Sequence, residues 1–391
     1  MREETTIVHS GLHPERHEGA VNPPVFHAST ILSQTVEEFR RRRKNWLLEQ
    51  PGTYYGRFGT PTTEALQEAL AALEGGYRTV LYPSGLAACA GALLAFLSSG
   101  DHVLMSDNVY GPTRNFATGF LRRFGVKAIF FDPLAGDSIE SLITPETRVI
   151  YLESPGSLTF EIHDTPAIAE VAHRRGITVI ADNTWATPLY FKPFAHGVDV
   201  SVQAATKYVV GHSDAMLGAI TCTKSAWPKL KSSTYELGQT AGPDDVYLAQ
   251  RGLRTLAVRL KQHWAAGLAL AEWIARQAEV ERVLYPALPG DPGHAIWKRD
   301  FTGASGLFGV VLKEGITDRA LCAMIDGLEL YGIGSSWGGF ESLIVPFDVR
   351  EMRTAKAWPY KGPCFRIHAG LENVDDLIAD LDNGFHRLRA A

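Results

Sequence analysis

Asp199-Val-Ser-Val-Gln-Ala-Ala-Thr-Lys207-Tyr-Val-Val-Gly-His-Ser-Asp214 starts as a strand and ends as a turn. Val198, Val200 and Val202 alternate with polar residues, which is the period of a half-buried strand. Small residues, one lysine and a Gly-His-Ser turn follow. An ammonium at the end of a buried strand is costly to desolvate, and its pKa falls. Lysines of that kind form Schiff bases with carbonyl compounds. A surface lysine that opens a loop is the alternative reading, and the neighbouring segments decide between them.

Strand-and-helix units precede this stretch. Thr79–Tyr82, His102–Ser106, Arg148–Leu152 and Ile177–Ile180 read as strands. Leu86–Leu97 and the segment capped by Asp164-Thr-Pro166 read as helices. Near-continuous apolar strands alternating with helices predict a mostly parallel sheet covered on both faces. Beyond residue 245 the pattern shifts to one long helix over 246–278, then strands Gly306–Leu312 and Cys364–His368 and a helix Val374–Leu388. These observations divide the 391 residues into an arm (1–60), a large α/β domain (61–245) and a smaller α+β domain (246–391).

Hydrophobic content of 45% with 21% charged residues suits a globular protein with a sizeable core. A net charge of −5 argues against nucleic acid as a partner. The run Arg40-Arg-Arg-Arg-Lys44 reads as a solvated helix face. Cys89, Cys222, Cys322 and Cys364 are scattered without a C-x-x-C pair, which points to a reduced, cytoplasmic protein with neither a disulfide framework nor a zinc site. The longest apolar run, Leu86–Leu97, is too short to span a bilayer, so no membrane association is expected.

The arm is rich in breakers, among them Gly11, Pro14, Pro23, Pro24 and Pro51, with one short helix expected near Thr35–Trp46. His9, His13 and His17 lie four apart, but Gly11 and Pro14 interrupt any helix that would align them as metal ligands. The arm ends in Tyr54-Tyr55-Gly-Arg57-Phe, which offers donors to an anion or simply packs as a tyrosine-rich loop. Pro83-Ser84-Gly85, between a strand and a helix start, is a turn able to hold a small monophosphate on backbone N–H groups. Tyr110 follows the strand His102–Ser106, and Asp182 and Lys207 follow consecutive strands, so all three converge on one sheet edge. A buried carboxylate needs a cation or donor. Pyridoxal 5′-phosphate satisfies the whole set: Lys207 as Schiff base, Asp182 on the pyridinium nitrogen, Tyr110 stacked on the ring, Gly85 at the phosphate. A separate structural role for each of these residues is the alternative reading.

Ten stretches in order resemble the pyridoxal-phosphate enzymes of cysteine and methionine metabolism. They include Tyr54–Thr62, Leu73-Glu-Gly-Gly76, Leu152-Glu-Ser-Pro-Gly156, Asp182-Asn-Thr-Trp185, Gln203–Asp214, Ser336-Trp-Gly-Gly-Phe-Glu-Ser342 and Arg366-Ile-His-Ala-Gly-Leu-Glu372. The resemblance implies the aspartate-aminotransferase-like fold (fold type I) in a homotetramer of two intimate dimers. It implies Lys207 and Tyr110 as catalytic residues, and Gly85, Leu86, Thr206, Asp182, Tyr110 and Lys207 as cofactor contacts. Tyr55 and Arg57 would reach the phosphate of a neighbouring subunit, and Ser336, Trp337 and Arg366 would bind an amino-acid substrate, Arg366 through its carboxylate.

The implied reaction is α,β-elimination at a carbon–sulfur bond, as in cleavage of L-cystathionine for methionine biosynthesis, with Lys207 as base and then acid. A γ-active relative, a broader cysteine-S-conjugate β-lyase and a catalytically idle cofactor-binding regulator are the rivals. Two departures matter. Ala204 stands where many relatives carry a phosphate-binding Ser, and Ser335 stands where β-lyases tend to carry Tyr and γ-cleaving enzymes Glu. Trp337 favours the β side.

Overall fold

The computed structural model describes residues 1–47, 49 and 52–391, so Pro51 lies outside the described residues. Seven strands form the first sheet: β1 Arg78–Tyr82, β2 His102–Ser106, β3 Lys127–Phe131, β4 Thr147–Glu153, β5 Thr178–Asp182, β6 Val200–Gln203 and β7 Gly218–Cys222. Their spatial order is β3-β2-β4-β5-β6-β7-β1. The pairs from β3 through β6 are parallel, while β7 is antiparallel to both β6 and β1. The mostly parallel sheet matches expectation; β3 and β7 were not anticipated. All five residues of β7, Gly-Ala-Ile-Thr-Cys, are buried, so it carries no polar alternation that would announce a strand.

Period-two alternation sorts each strand's side chains onto two covered faces. In β4, Val149 and Tyr151 pack with Ala88, Ala92 and Leu93 of the helix Gly85–Phe96. Ile150 and Leu152, on the other face, meet Ile168, Val171 and Ala172 of the helix Thr165–Arg174. The loops after β2, β4, β5 and β6 therefore emerge side by side at one edge.

The second sheet contains β8 Val280–Leu284, β9 Leu307–Leu312, β10 Gly332–Ile333, β11 Leu343–Phe347 and β12 Cys364–His368, ordered β10-β11-β12-β9-β8. Only β9 and β12 were expected. Phe308, Val310, Phe365 and Ile367 share a core with Leu377, Leu381 and Phe385 of the helix Val374–Ala390.

Two expectations need correction. The arm holds a second helix, Glu3–His9, whose Ile7 is fully buried in the cluster formed by Leu66 and Leu70. His13 meets Glu68 at 2.7 Å. The long helix expected over 246–278 is two helices, Pro243–Leu253 and Leu256–Ile274. At the break the Gly252 carbonyl accepts from Thr255 N and Oγ1, each at 3.1 Å, and from Arg259 Nη2 at 2.8 Å. Those donors tighten the turn. Gly252 also packs against the segment after Lys207: an added Cβ would lie 2.1 Å from the Val210 carbonyl oxygen. Gly252→Ala is therefore expected to destabilise the protein by about 1–3 kcal/mol through overpacking, measured by denaturant titration.

Candidate active site

A cleft of about 400 Å³ opens at the C-terminal edge of the parallel strands and is walled on its far side by Ser335, Ser336, Trp337 and Arg366. That volume lies in the range of small-molecule sites. Gly85, Leu86, Tyr110, Asp182, Thr206 and Lys207 all line it. Eight of the residues singled out besides Ser336, Trp337 and Arg366 were Tyr55, Arg57 and those six, so nine of the eleven share one cavity.

Tyr55 and Arg57 do not line it. Arg57 Nη1 donates to the Tyr235 carbonyl at 2.9 Å, and its guanidinium sits over the Phe58 ring at 4.5 Å. Tyr55 is exposed and forms an isolated bridge with Thr30.

One end of the cleft is an anion cradle. Ser84 caps the helix Gly85–Phe96, its Oγ accepting from Ala87 N at 3.1 Å. The first helical amides, those of Gly85 and Leu86, have no carbonyl a turn back to bond, and the helix dipole adds positive potential there. A Cβ on Gly85 would come within 2.5 Å of the Ala204 Cβ. Glycine at 85 and a small residue at 204 are thus one packing solution, which gives the departure at Ala204 a steric context. Thr206 Oγ1 donates to the Leu217 carbonyl at 3.1 Å and accepts from Leu217 N at 2.8 Å, so this hydroxyl is already engaged.

At the floor, Asp182 ends β5 and is buried. Its Oδ1 accepts from Thr184 N at 3.0 Å and Thr184 Oγ1 at 2.5 Å, and Cys89 Sγ stands 3.7 Å from Oδ2. Burial raises its pKa, and the Thr184 donors oppose that rise. Glu153 ends the adjacent strand in register with Asp182. Its Oε2 accepts the backbone N–H of Tyr110 at 2.6 Å. Desolvation first, and the Asp182 charge second, push its carboxyl well above the usual range. Sequence reading missed Glu153, although the signal was the same as for Asp182: an apolar parallel strand ending in a carboxylate.

Lys207 Nζ donates to Ser336 Oγ at 2.7 Å and lies 5.4 Å from the Trp337 ring centroid. Desolvation, then the Arg366 charge, lowers its pKa to about 8. Arg366 projects from β12 between the fully buried Phe365 and Ile367. Its Nη2 donates to the carbonyls of Ser335 at 3.0 Å and Ser336 at 3.3 Å. Burial lowers its pKa to about 10, so it remains a cation at neutral pH. Tyr110, half-exposed above the floor, has its phenol pKa raised chiefly by burial, which keeps it neutral and suits it to stacking more than to taking a proton.

The lysine shift has a thermodynamic sign. Its folded pKa of about 8 lies well below the ordinary lysine value, so the unfolded chain binds the extra proton between the two. Stability therefore rises with pH across about 8 to 10.4 through this group. In the cofactor-free protein, the difference in unfolding midpoint between wild type and Lys207→Met is expected to change in that window and stay flat below it.

An anion cradle, a desolvated lysine, a buried carboxylate and an aromatic face fit a phosphorylated pyridine aldehyde. A profile of the Cys/Met metabolism PLP-dependent enzyme family matches residues 4–386. The chain belongs to this family. Its cofactor is pyridoxal 5′-phosphate, and its fold is that of the family's fold type I enzymes. The chain is 45% identical over 392 residues to the cystathionine beta-lyase MetC of Escherichia coli (strain K12), covering 98% of both chains. It is 44% identical over 390 residues to the cystathionine beta-lyase of Salmonella typhimurium (strain LT2), again covering 98% of each. An L-alanine/L-glutamate racemase of Wolbachia pipientis wMel is 41% identical over 396 residues, covering 99% of this chain and 98% of that protein. Among the described residues no helix is long and apolar enough to cross a membrane, and no cluster of His, Cys, Asp or Glu could hold a metal ion.

Proposed function

We propose that this chain is a cytoplasmic carbon–sulfur β-lyase that converts L-cystathionine and water to homocysteine, pyruvate and ammonia. The observation that carries the reading is the facing pair Lys207 and Arg366, joined through Ser336 and walled by Trp337. The near-full-length likeness to two cystathionine beta-lyases supports it.

Bound cofactor supplies an electron sink for the charge left at the substrate's Cα. In this reading Lys207 holds the cofactor, and its released Nζ takes the Cα proton; a pKa near 8 leaves part of it unprotonated at neutral pH. The same Nζ then delivers a proton to the departing sulfur. Arg366 offers a two-pronged fork to the α-carboxylate. Asp182 would hold a proton on the ring nitrogen, the amides of Gly85 and Leu86 would hold the phosphate, and Tyr110 would cover the ring. Trp337 narrows the cleft against water.

The test is a product assay on the cofactor-loaded protein with L-cystathionine. Pyruvate with homocysteine is expected, and 2-oxobutyrate as the main keto acid would reassign the chain to a γ-active role. The racemase relative motivates a second arm. Racemisation also begins with Cα proton removal, but it suits a substrate with no leaving group at Cβ. L-Alanine racemised rapidly, with cystathionine left intact, would replace the lyase reading.

The arm residues motivate a composite site. Tyr55 and Arg57 stand outside their own chain's cleft, so we propose that they complete a second subunit's phosphate site within a homo-oligomer. Lys207→Ala and Arg57→Ala chains, mixed under conditions of demonstrated subunit exchange, are then expected to regain activity up to about a quarter of wild type, since one hybrid site in two is intact in hybrid dimers. Exchange without recovery would count against shared sites.

A further inference from the structure

The loop 335–339 carries three of the contacts on which the site depends. Ser336 Oγ receives the Lys207 Nζ hydrogen bond, and the Ser335 and Ser336 carbonyls receive the Arg366 guanidinium. Two residues on, Gly338 adopts φ +88, and a Cβ there would sit 2.9 Å from Tyr208 N and 3.1 Å from the Lys207 Cα. Only glycine fits that backbone and that approach. The loop is therefore laid directly on the main chain of the lysine it also holds by its side chain.

Beneath the loop lies His368. It lies on β12 two residues past Arg366, on the opposite side of Ile367, and is fully buried. Its Nε2 lies 3.1 Å from Gly338 N and 3.2 Å from the Gly339 carbonyl oxygen. The Gly338 N–H needs an acceptor, which Nε2 supplies when the proton sits on Nδ1, a buried atom with no partner of its own among the described residues; the other tautomer serves the Gly339 carbonyl instead, and in both the ring meets the loop at this one nitrogen. On its other side the His263 ring lies 5.0 Å away, centroid to centroid, with Nδ1 held 2.8 Å from the Ala369 carbonyl. Tyr208 packs against both rings, at 5.3 Å from His263 and 5.8 Å from His368. Desolvation and neighbouring positive charge keep His368 neutral, so its contact with the loop does not depend on pH near neutrality.

We propose that His368 is a positioning residue: by hydrogen-bonding the loop at Gly338–Gly339 it sets where Ser336 holds Lys207 and where the loop carbonyls hold Arg366. A single buried ring thereby couples the cofactor-facing lysine to the substrate-facing arginine, although it touches neither reacting group. The inference rests on the roles given above to Lys207 and Arg366.

Three variants of the cofactor-loaded protein test it. His368→Phe keeps a ring and loses the polar edge. His368→Asn keeps polarity but is too short to reach the loop. His368→Gln places an amide, with both an acceptor and a donor, at the reach of Nε2. Each is read by borohydride trapping at Lys207, by the absorbance–pH titration of the lysine-bound cofactor, and by kcat and KM for L-cystathionine. Phe and Asn are expected to displace the titration midpoint and raise KM about tenfold, the loss of one buried hydrogen bond. Gln is expected to bring both back toward wild type. Wild-type-like titration and KM in Phe and Asn, or equal defects in Phe, Asn and Gln, would overturn the inference, the latter by reducing His368 to packing. Should Phe fail to fold, the Asn–Gln comparison decides alone. Failure of wild type itself to trap at Lys207 would instead sink the underlying roles.

Discussion

Lys207→Ala is expected to lower kcat/KM for L-cystathionine by at least about 10³-fold, and to abolish borohydride-dependent attachment of the cofactor to the chain. General acid–base work by one positioned group is worth about 10²–10⁴. Here one Nζ is asked to hold the cofactor, take the Cα proton and return it to sulfur, so its removal strikes three steps together. Ser336 cannot substitute, because an aliphatic hydroxyl stays protonated at neutral pH and offers no free base to take the Cα proton. Lys207→Arg tests charge against basicity. The guanidinium keeps a cation in the cleft but stays protonated at neutral pH, so it is expected to be as inactive as Ala. A variant within about tenfold of wild type, or a reduced adduct mapping to another lysine, would remove Lys207 from the centre of the mechanism. Unfolding should not confuse the result, since truncating a half-buried, desolvated amine relieves a burial cost.

The parallel sheet was legible because its strands are buried on both faces and read as apolar runs. The convergence of Asp182 and Lys207 followed from strand order alone, since β5 and β6 are parallel neighbours. Gly85 was legible as a turn, but its partnership with Ala204 was not, because 119 residues of chain separate two atoms that the fold brings to van der Waals limits. β7 escaped because small, wholly buried residues have no alternation to read. The break after Leu253 escaped because it depends on Arg259 reaching back to a carbonyl, a choice that periodicity does not encode. Contacts among Lys207, Ser336 and Arg366 join the two sheets, and no local pattern announces such pairings. His368 shows the same limit: in sequence it is one more residue of an apolar strand, and its meaning appears only with Gly338 laid against it.

The pocket floor sets two carboxylates side by side, and they are not equivalent. Glu153 and Asp182 are in register on adjacent strands, where two buried anions would repel. Asp182 has two donors from Thr184 and the Cys89 thiol nearby, whereas Glu153 has the single amide of Tyr110. The charge therefore belongs on Asp182 and the proton on Glu153. Asp182→Asn keeps the shape and an oxygen for Thr184 but cannot hold a proton on the ring nitrogen, so kcat is expected to fall roughly 10²–10³-fold, the scale of losing one preorganised electrostatic partner. Glu153→Gln, which replaces an uncharged group by an uncharged group, is expected to stay within about tenfold of wild type.

Stability should move the other way. Burial raises the folded pKa of Asp182 above its unfolded value, so its ionised form opposes folding, and that opposition is relieved as pH falls through the folded value. Removing the charge as Asn should leave the cofactor-free protein at least as stable at neutral pH. Thermal unfolding of that form, alongside steady-state kinetics of the loaded enzyme, checks both halves. A variant that loses stability and activity together would mean that Asp182 serves the fold. One that keeps its activity would mean that the ring nitrogen needs no carboxylate here.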